Sequence, residues 1–269
     1  MQYKINEVSK ITGVPIDTLR YFEKIGVITP KVNEENGYRY YEAWDINFIL
    51  DYNNYRKLEF SSKEALHFVH EASLSEQIEA LHRKSSYYED KIRHYSKLRD
   101  RNEEIIRQVK EIPELLNKVK LVETPGSRYI CYRENYDFYG FKRNMDEIHA
   151  WLRKIELTEN VVIIPRETVE DVSENRYRWG MMIGEDDFAE LAVPDTDNVE
   201  KIEPGLCVTT LVEAGGEGTF HYSLLAPALE YIRKHRFRLS GDPYGVLIIR
   251  SHDETGIHRF FNFYLPISE

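Results

Sequence analysis

An α+β chain in three parts is predicted by three features of the sequence. The first 70 residues hold short helical segments and a turn that leads into an aromatic strand, a heptad-patterned stretch then runs to Pro113, and a strand-helix-strand-strand pattern occurs twice beyond residue 125. With 269 residues, 42% of them hydrophobic, the chain is long enough for two domains joined by a shared helix. Its start, Met1-Gln2-Tyr3-Lys4-Ile5, lacks the basic start, apolar run and small-residue cleavage site of an export signal. No stretch nears the ~18 apolar residues of a membrane span, so a cytoplasmic chain with no membrane partner is expected.

Ile5, Val8 and Ile11 fall at helical spacing and Thr12-Gly13 ends the first helix. Val14-Pro15 begins a second, since proline suits a first helical turn; Leu19 and Phe22 form its buried side and Gly26 closes it. Two short helices joined by a glycine-bearing turn make a helix-turn-helix, whose second helix enters a DNA major groove. Asn33-Glu34-Glu35-Asn36-Gly37, followed by Tyr38-Arg39-Tyr40-Tyr41, reads as a hairpin of the kind called a wing, with Arg39 held toward a phosphate; an ordinary surface hairpin would show the same pattern.

Trp44 to Leu58 is helical by spacing and closes on Arg56-Lys57. Ser61 with Glu64 and Ser73 with Glu76 are capping boxes that open two more helices, the last spanning residues 75–112 until Pro113 stops it. At 1.5 Å per residue it is about 57 Å long. Its apolar positions Ile78, Leu81, Tyr88, Ile92, Tyr95, Ile106 and Val109 keep a seven-residue pattern, interrupted by Ser85, Arg99 and Asn102, so a two-chain antiparallel coiled coil is expected.

The net charge of −10 is unevenly placed. Residues 1–120 balance, whereas residues 121–269 carry 16 Lys and Arg against 26 Asp and Glu, so the acidity of the whole chain does not exclude DNA binding by its first part. Cys131 and Cys207 have no partner at ligand spacing; they read as buried small hydrophobes, and no metal or other cofactor is implied.

The segments Ile5 to Val14, Thr18 to Gly26 and Gly37 to Tyr41, at their mutual spacing, closely resemble the MerR family of transcription regulators. The resemblance implies a homodimer with a winged helix-turn-helix at 1–72, a coiled-coil dimerisation helix at 73–117 and an effector domain at 118–269. It also implies that the dimer binds double-stranded promoter DNA and bends and untwists an overlong spacer so that RNA polymerase engages both promoter elements. Carried onto this sequence, it places Thr18, Arg20, Tyr21, Tyr38, Arg39 and Tyr40 at the DNA, with Arg56 and Lys57 as further phosphate contacts.

Residues 125–185 and 204–265 each read as β-α-β-β. In the first, strands near Arg128 to Cys131, Val161 to Ile164 and Tyr177 to Ile183 frame a helix around Met145 to Leu152. In the second, strands near Leu206 to Thr210, Gly245 to Arg250 and Phe260 to Leu265 frame a helix over Phe220 to Lys234. Such a duplication leaves a groove where the copies meet, suited to a small ligand. It resembles the GyrI-like effector-binding domain, and joined to a MerR-type start it has the layout of the multidrug-responsive BmrR-like branch. Tyr136, Tyr139, Trp179, Tyr222 and Tyr244 are the effector-binding candidates, chosen for flat faces and polar edges that suit a small aromatic or lipophilic compound.

Two positions depart from the family. Where relatives often carry a glutamate that pairs with cationic drugs this chain has Gly245, and a second acidic position is filled by Asn262. A cationic ligand would then need another acid, such as Asp137 or Glu213. Metal sensing is disfavoured, because residues 112–121 contain no cysteine. A C-terminal hydrolase of strained small molecules would need a placed base, and His149, His221, His235, His252 and His258 read as surface histidines. A protein-binding role for the C-terminal half is a third reading.

Overall fold

The computed structural model describes residues 2–34, 37–138, 144–170, 176–216 and 221–269. The chain forms two compact units, Met1–Ile92 and Arg93–Glu269. No helix among the described residues is long and apolar enough to cross a membrane.

The first unit opens with α1 (Ile5–Thr12) and α2 (Ile16–Ile25). Gly13 ends α1 in the left-handed region (φ 70°), with its N–H donated to the Ser9 carbonyl. Pro15 occupies the N-cap of α2, one place before the first-turn position expected of it. The hairpin of β1 (Lys31–Val32) and β2 (Arg39–Tyr40) is present, pairing Lys31 with Tyr40 and Val32 with Arg39; Glu35 and Asn36 at its turn lie outside the described residues. Helices α3 (Ala43–Lys57) and α4 (Ser62–His70) complete the layer. Val8, Leu19, Phe22, Val27, Ile28, Tyr41, Ile46, Ile49 and Tyr52 form one core, so the helix pair and the hairpin share a single apolar centre.

Both capping boxes are made: Ser61 Oγ accepts from Glu64 N–H at 3.2 Å, Glu64 Oε2 accepts from Ser61 N–H at 2.8 Å, and Ser73 and Glu76 repeat the exchange at 3.3 and 2.7 Å. The second box opens α5 (Leu74–Leu115), 42 residues long. The sequence places its end at Pro113, yet the helix continues for two residues beyond. Proline costs only the bond that its own N–H would have made, and the chain turns out of the helix at Asn117, in the left-handed region (φ 61°). Leu74, Ile78, Leu81, Ile92, Tyr95 and Ile106 fall on the heptad seam and all are exposed.

The second unit is built on an antiparallel sheet of β3 (Val119–Thr124), β4 (Ser127–Glu134), β5 (Glu159–Ile163), β6 (Arg178–Gly184), β7 (Val199–Ile202), β8 (Gly205–Ala214), β10 (Tyr244–Asp253) and β11 (Gly256–Ser268), in the order β3-β8-β11-β10-β5-β6-β4-β7. The short β9 (Arg238–Leu239) pairs with β11. Outward from the central β10–β5 pair the order is β11 then β8 on one side and β6 then β4 on the other, so residues 125–185 and 204–265 contribute their strands in the same sequence from the middle. Strands β10 and β11 run well past the expected 245–250 and 260–265, because a tight turn at Thr255-Gly256 lets them pair to their tips. The edge strands β3 and β7 and the short helices Arg166–Glu170 and Glu185–Leu191 were not expected from periodicity. The helix of the second segment spans Ala226–Lys234 after a 3-10 turn at Tyr222–Leu225, and Phe220 lies outside the described residues.

Side-chain alternation gives this sheet two apolar faces. One carries the helices: Met145–Leu152 packs Ile148 and Trp151 on Ile130, Met181 and Ile183, and Ala226–Lys234 packs Ala228 and Ile232 beside Phe261, Phe263 and Leu265. The other holds Tyr129, Val161, Ile163, Met182 and Tyr244. Cys207 is buried and Cys131 half-buried, which departs from full burial for the second; burial pushes both thiols up.

Close approach at Gly180 ties two strands together. A Cβ there would lie 2.2 Å from the Ile130 carbonyl oxygen and 2.3 Å from the Tyr129 ring, and the backbone of β4 cannot rotate away as a side chain could. Gly180→Ala is expected to lower stability by about 1–3 kcal/mol through overpacking, read as a lower urea midpoint.

Candidate functional sites

Helix α2 and the hairpin meet at one acid. Glu23, half-buried on α2, takes the Tyr41 hydroxyl on one carboxylate oxygen, while its other oxygen lies 3.0 Å from Arg39 Nε. Burial, then Glu23, pushes the Tyr41 phenol up, so Tyr41 keeps the proton it donates. Tyr41 is fully buried and packs beneath the wing, whereas Tyr38 is 66% exposed on it.

Above this link lies a cleft lined by Lys4, Asn6, Arg20, Lys24, Tyr38 and Arg39. Arg20 is largely exposed and only 3.6 Å from Asp17, a long exposed pair that leaves its guanidinium available. Tyr21 is half-exposed on α2, Thr18 and Tyr40 are half-buried, and none of the three lines the cleft. Arg56 and Lys57 close α3 outside it, and the Arg56 guanidinium donates to the Phe60 carbonyl. Lys4 and Lys24 escaped the sequence reading; Lys4 caps the start of α1 and Lys24 lies in the last turn of α2, each a single cation with nothing in its neighbours to mark it.

In the second unit a cavity of about 680 Å³ opens on the sheet face that bears Tyr244. Tyr244, Val246, Asn262, Tyr264, Met182 and Glu159 line it from the sheet, and Arg101, Glu104 and Gln108 of α5 form part of its wall. The Tyr244 and Tyr264 rings stack at 5.1 Å and 19°. Asn262 donates to the Tyr264 hydroxyl at 2.8 Å and accepts from Thr209 Oγ1 at 2.8 Å, so its orientation is set. Burial raises the Glu159 carboxyl above the usual range; Arg101 opposes the shift and Glu104 adds to it. Burial, then the Glu159 charge, pushes the Tyr264 phenol up to about 12.

Of the four aromatic candidates among the described residues, only Tyr244 lines this cavity. Trp179 is a correction: it is buried in the core of the helix-bearing face, 5.8 Å from Phe261, because odd positions of β6 point away from the cavity that Met182 enters. Tyr136 is 69% exposed in the turn after β4, and Tyr222 is half-buried in a 3-10 turn against His221. Neither lines the cavity, and Tyr139 lies outside the described residues.

The acids also fall differently. Gly245 faces the helices under Phe263, whose ring would be 2.4 Å from an added Cβ, so a carboxylate at that position would not reach this cavity. Glu213 is held by His258 Nδ1 at 2.5 Å, and Asp137 is an exposed turn residue whose backbone bonds Glu134. Glu159, half-buried on β5, is one of the acids lining the cavity, with Glu104, Glu111, Glu123 and Asp187, and sequence reasoning missed it; its one mark is a charge two places before the apolar run Val161-Val162-Ile163. His149, His221, His235 and His252 are exposed, as read. His258 differs, being half-buried between Glu213 and Asp253, with 3.0 Å to the latter; hydrogen bonds to Glu213 first and then Asp253 raise its pKa, and both ring nitrogens are taken up by these acids.

Residues 3–70 match the family described as MerR HTH family regulatory protein. The HTH-type transcriptional regulator HmrR of Rhizobium leguminosarum bv. viciae is 36% identical over 115 residues, covering 41% of this chain and 76% of HmrR. The uncharacterized HTH-type transcriptional regulator YyaN of Bacillus subtilis (strain 168) is 32% identical over 76 residues, 28% of this chain, and the match spans 55% of YyaN. The cryo-EM structure of the EcmrR-DNA complex aligns with 99% of this chain and 100% of its own at 17% identity, with a TM-score of 0.38. With its helix pair, hairpin and long helix in place, and with three quarters of HmrR matched, the chain belongs to the MerR family of DNA-binding transcription regulators.

Proposed function

We propose that this regulator works as a homodimer that activates its promoter when a small aromatic or lipophilic compound binds the second unit. The observation that carries the ligand reading is the cavity holding Glu159 beside the stacked Tyr244 and Tyr264, because a half-buried acid next to aromatic faces suits an organic cation. Helix α5 supports a link from ligand to DNA: its residues Arg101 and Glu104 wall the cavity, and its heptad positions Ile92 and Tyr95 stand exposed for a partner helix. The domain plan is a winged helix-turn-helix at 1–72, a dimerisation helix at 73–117 and a duplicated GyrI-like effector domain at 118–269, as in the BmrR-like branch. The order of strands outward from the β10–β5 pair favours the duplication.

In this mechanism two copies of the cleft hold the two ends of a promoter element. Arg20 reads a base edge or phosphate from α2, with Thr18 and Tyr21 on the same helix, while Tyr38, Arg39 and Tyr40 hold the backbone from the wing and Arg56 and Lys57 add outlying cations. Bending and untwisting a site of this length costs roughly 1–6 kcal/mol, which contacts from both copies must offset for RNA polymerase to engage. The ligand shifts an existing equilibrium of the dimer toward the DNA-distorting state, and by reciprocity promoter DNA alters ligand affinity by the same factor.

Three results are expected. Arg20→Ala weakens affinity for the chain's own promoter about 10- to 100-fold with an unchanged melting temperature, as the loss of one charge-assisted contact implies; fluorescence anisotropy measures it, and unaltered affinity refutes the assignment. Ile92→Asp places a charge on the seam and shifts sedimentation from dimer to monomer at micromolar concentration. Glu159→Gln weakens binding of benzyltrimethylammonium, seen by calorimetry, about tenfold (~1.4 kcal/mol). Because burial raises the Glu159 pKa in the fold, its ionised form opposes folding at neutral pH, so the same variant melts higher at pH 7.5, and that gain shrinks as pH falls through the raised pKa and is gone below about 4.

A further inference from the structure

On the helix-bearing face of the sheet, away from the cavity, three arginines stand together. In the register of β10 and β11, Arg250 lies directly opposite Arg259, and like charges so placed repel. Arg133, near the end of β4, joins them from the other half of the sheet. The Arg259 guanidinium is lowered from its ordinary pKa by burial first, and then by the charges of Arg250 and Arg133. None of the three forms an ion pair among the described residues, although residues 121–269 hold 26 acids against 16 bases. Neighbouring arginines do find acids: Arg128 lies 2.9 Å from Glu185, and Arg178 pairs with Glu200.

The surroundings are those of a recognition site. The Arg133 guanidinium lies 5.1 Å over the Trp179 ring and 5.6 Å from Phe138, and its Nε is buried without a hydrogen-bond partner. Arg259 spends Nε and Nη2 on the carbonyls of Gly215 and Gly216, at 2.8 to 3.2 Å, which fixes the plane of its fork. Tyr136 and Tyr177 stand edge to face at 6.5 Å beside the cluster. Convergent guanidinium groups on an aromatic floor favour a flat molecule that carries several anionic oxygens.

We propose that Arg133, Arg250 and Arg259 bind a small oxyanion, a carboxylate or phosphate borne on an aromatic body, at a site separate from the Glu159 cavity. The anion accepts from Arg133, Arg250 and the Nη1 end of Arg259 and removes their mutual repulsion, while its ring lies against Phe138 and Tyr136.

The test uses the full chain at constant ionic strength set with chloride, with calorimetric titration of inorganic phosphate and of phenyl phosphate. Saturable binding of one phenyl phosphate per chain is expected, at least tenfold tighter than inorganic phosphate. Arg250→Glu, at an exposed position, is expected to weaken both by at least tenfold and to raise the melting temperature in anion-free buffer, because the new acid faces Arg259; Arg250→Gln weakens binding less. Benzyltrimethylammonium affinity stays unchanged in Arg250→Glu, and phenyl phosphate affinity stays unchanged in Glu159→Gln, which separates this site from the cavity. No saturable binding of either anion, affinity that Arg250→Glu leaves intact, or anion binding lost only in Glu159→Gln would each overturn the proposal.

Discussion

Strict alternation across an antiparallel sheet decides what the second unit can do. Once β10 pairs with β5 and β11, Tyr244 and Val246 enter the cavity while Gly245 turns under Phe263, and Asn262 and Tyr264 face one way while Phe261 and Phe263 face the other. A one-residue slip would bring Phe261 and Phe263 into the cavity and turn Tyr244, Asn262 and Tyr264 toward the helices. The register is well specified because both faces are covered. Each face then carries its own chemistry, with Glu159 and stacked tyrosines on one and guanidinium groups over indole on the other.

The first unit depends on a single carboxylate in a comparable way. Glu23 accepts from Tyr41 beneath the hairpin and holds Arg39 on it, so the reading helix and the wing share one anchor. In the DNA contact proposed for Arg39, a phosphate would take over part of the charge that Glu23 now supplies. The arrangement orders the side chain before contact, which reduces the entropy lost on binding.

Much of this was legible in the sequence. Capping pairs, glycine stops and heptad spacing marked α1 to α5, because each is a local signal acting within a few residues. The repeated strand-helix-strand-strand pattern was visible for the same reason. The cavity was not legible, since its lining depends on which way each strand residue faces after distant strands pair. Trp179 was assigned to a ligand and the position of Gly245 was taken as that of the relatives' cation-pairing glutamate, and register turns both to the opposite side. Glu159 went unnoticed because a single acid before a strand looks like an ordinary solvated end. Arg250 and Arg259 lie far from Arg133 in the chain, so only strand pairing makes them a cluster.

Pro113, in the last turn of α5, leaves the Val109 carbonyl without its intrahelical donor. Upstream of that point every backbone bond resists flexure, and downstream one is missing, so the rod has a compliant tip. A molecule that presses on Leu115 would spend its push on local bending there. One that displaces Arg101 or Glu104 works on the stiff portion, where a small movement is carried along the axis toward the seam. In the proposed sensing mechanism the place of contact along this wall, as much as the strength of binding, would then separate compounds that switch the regulator from those that merely occupy it.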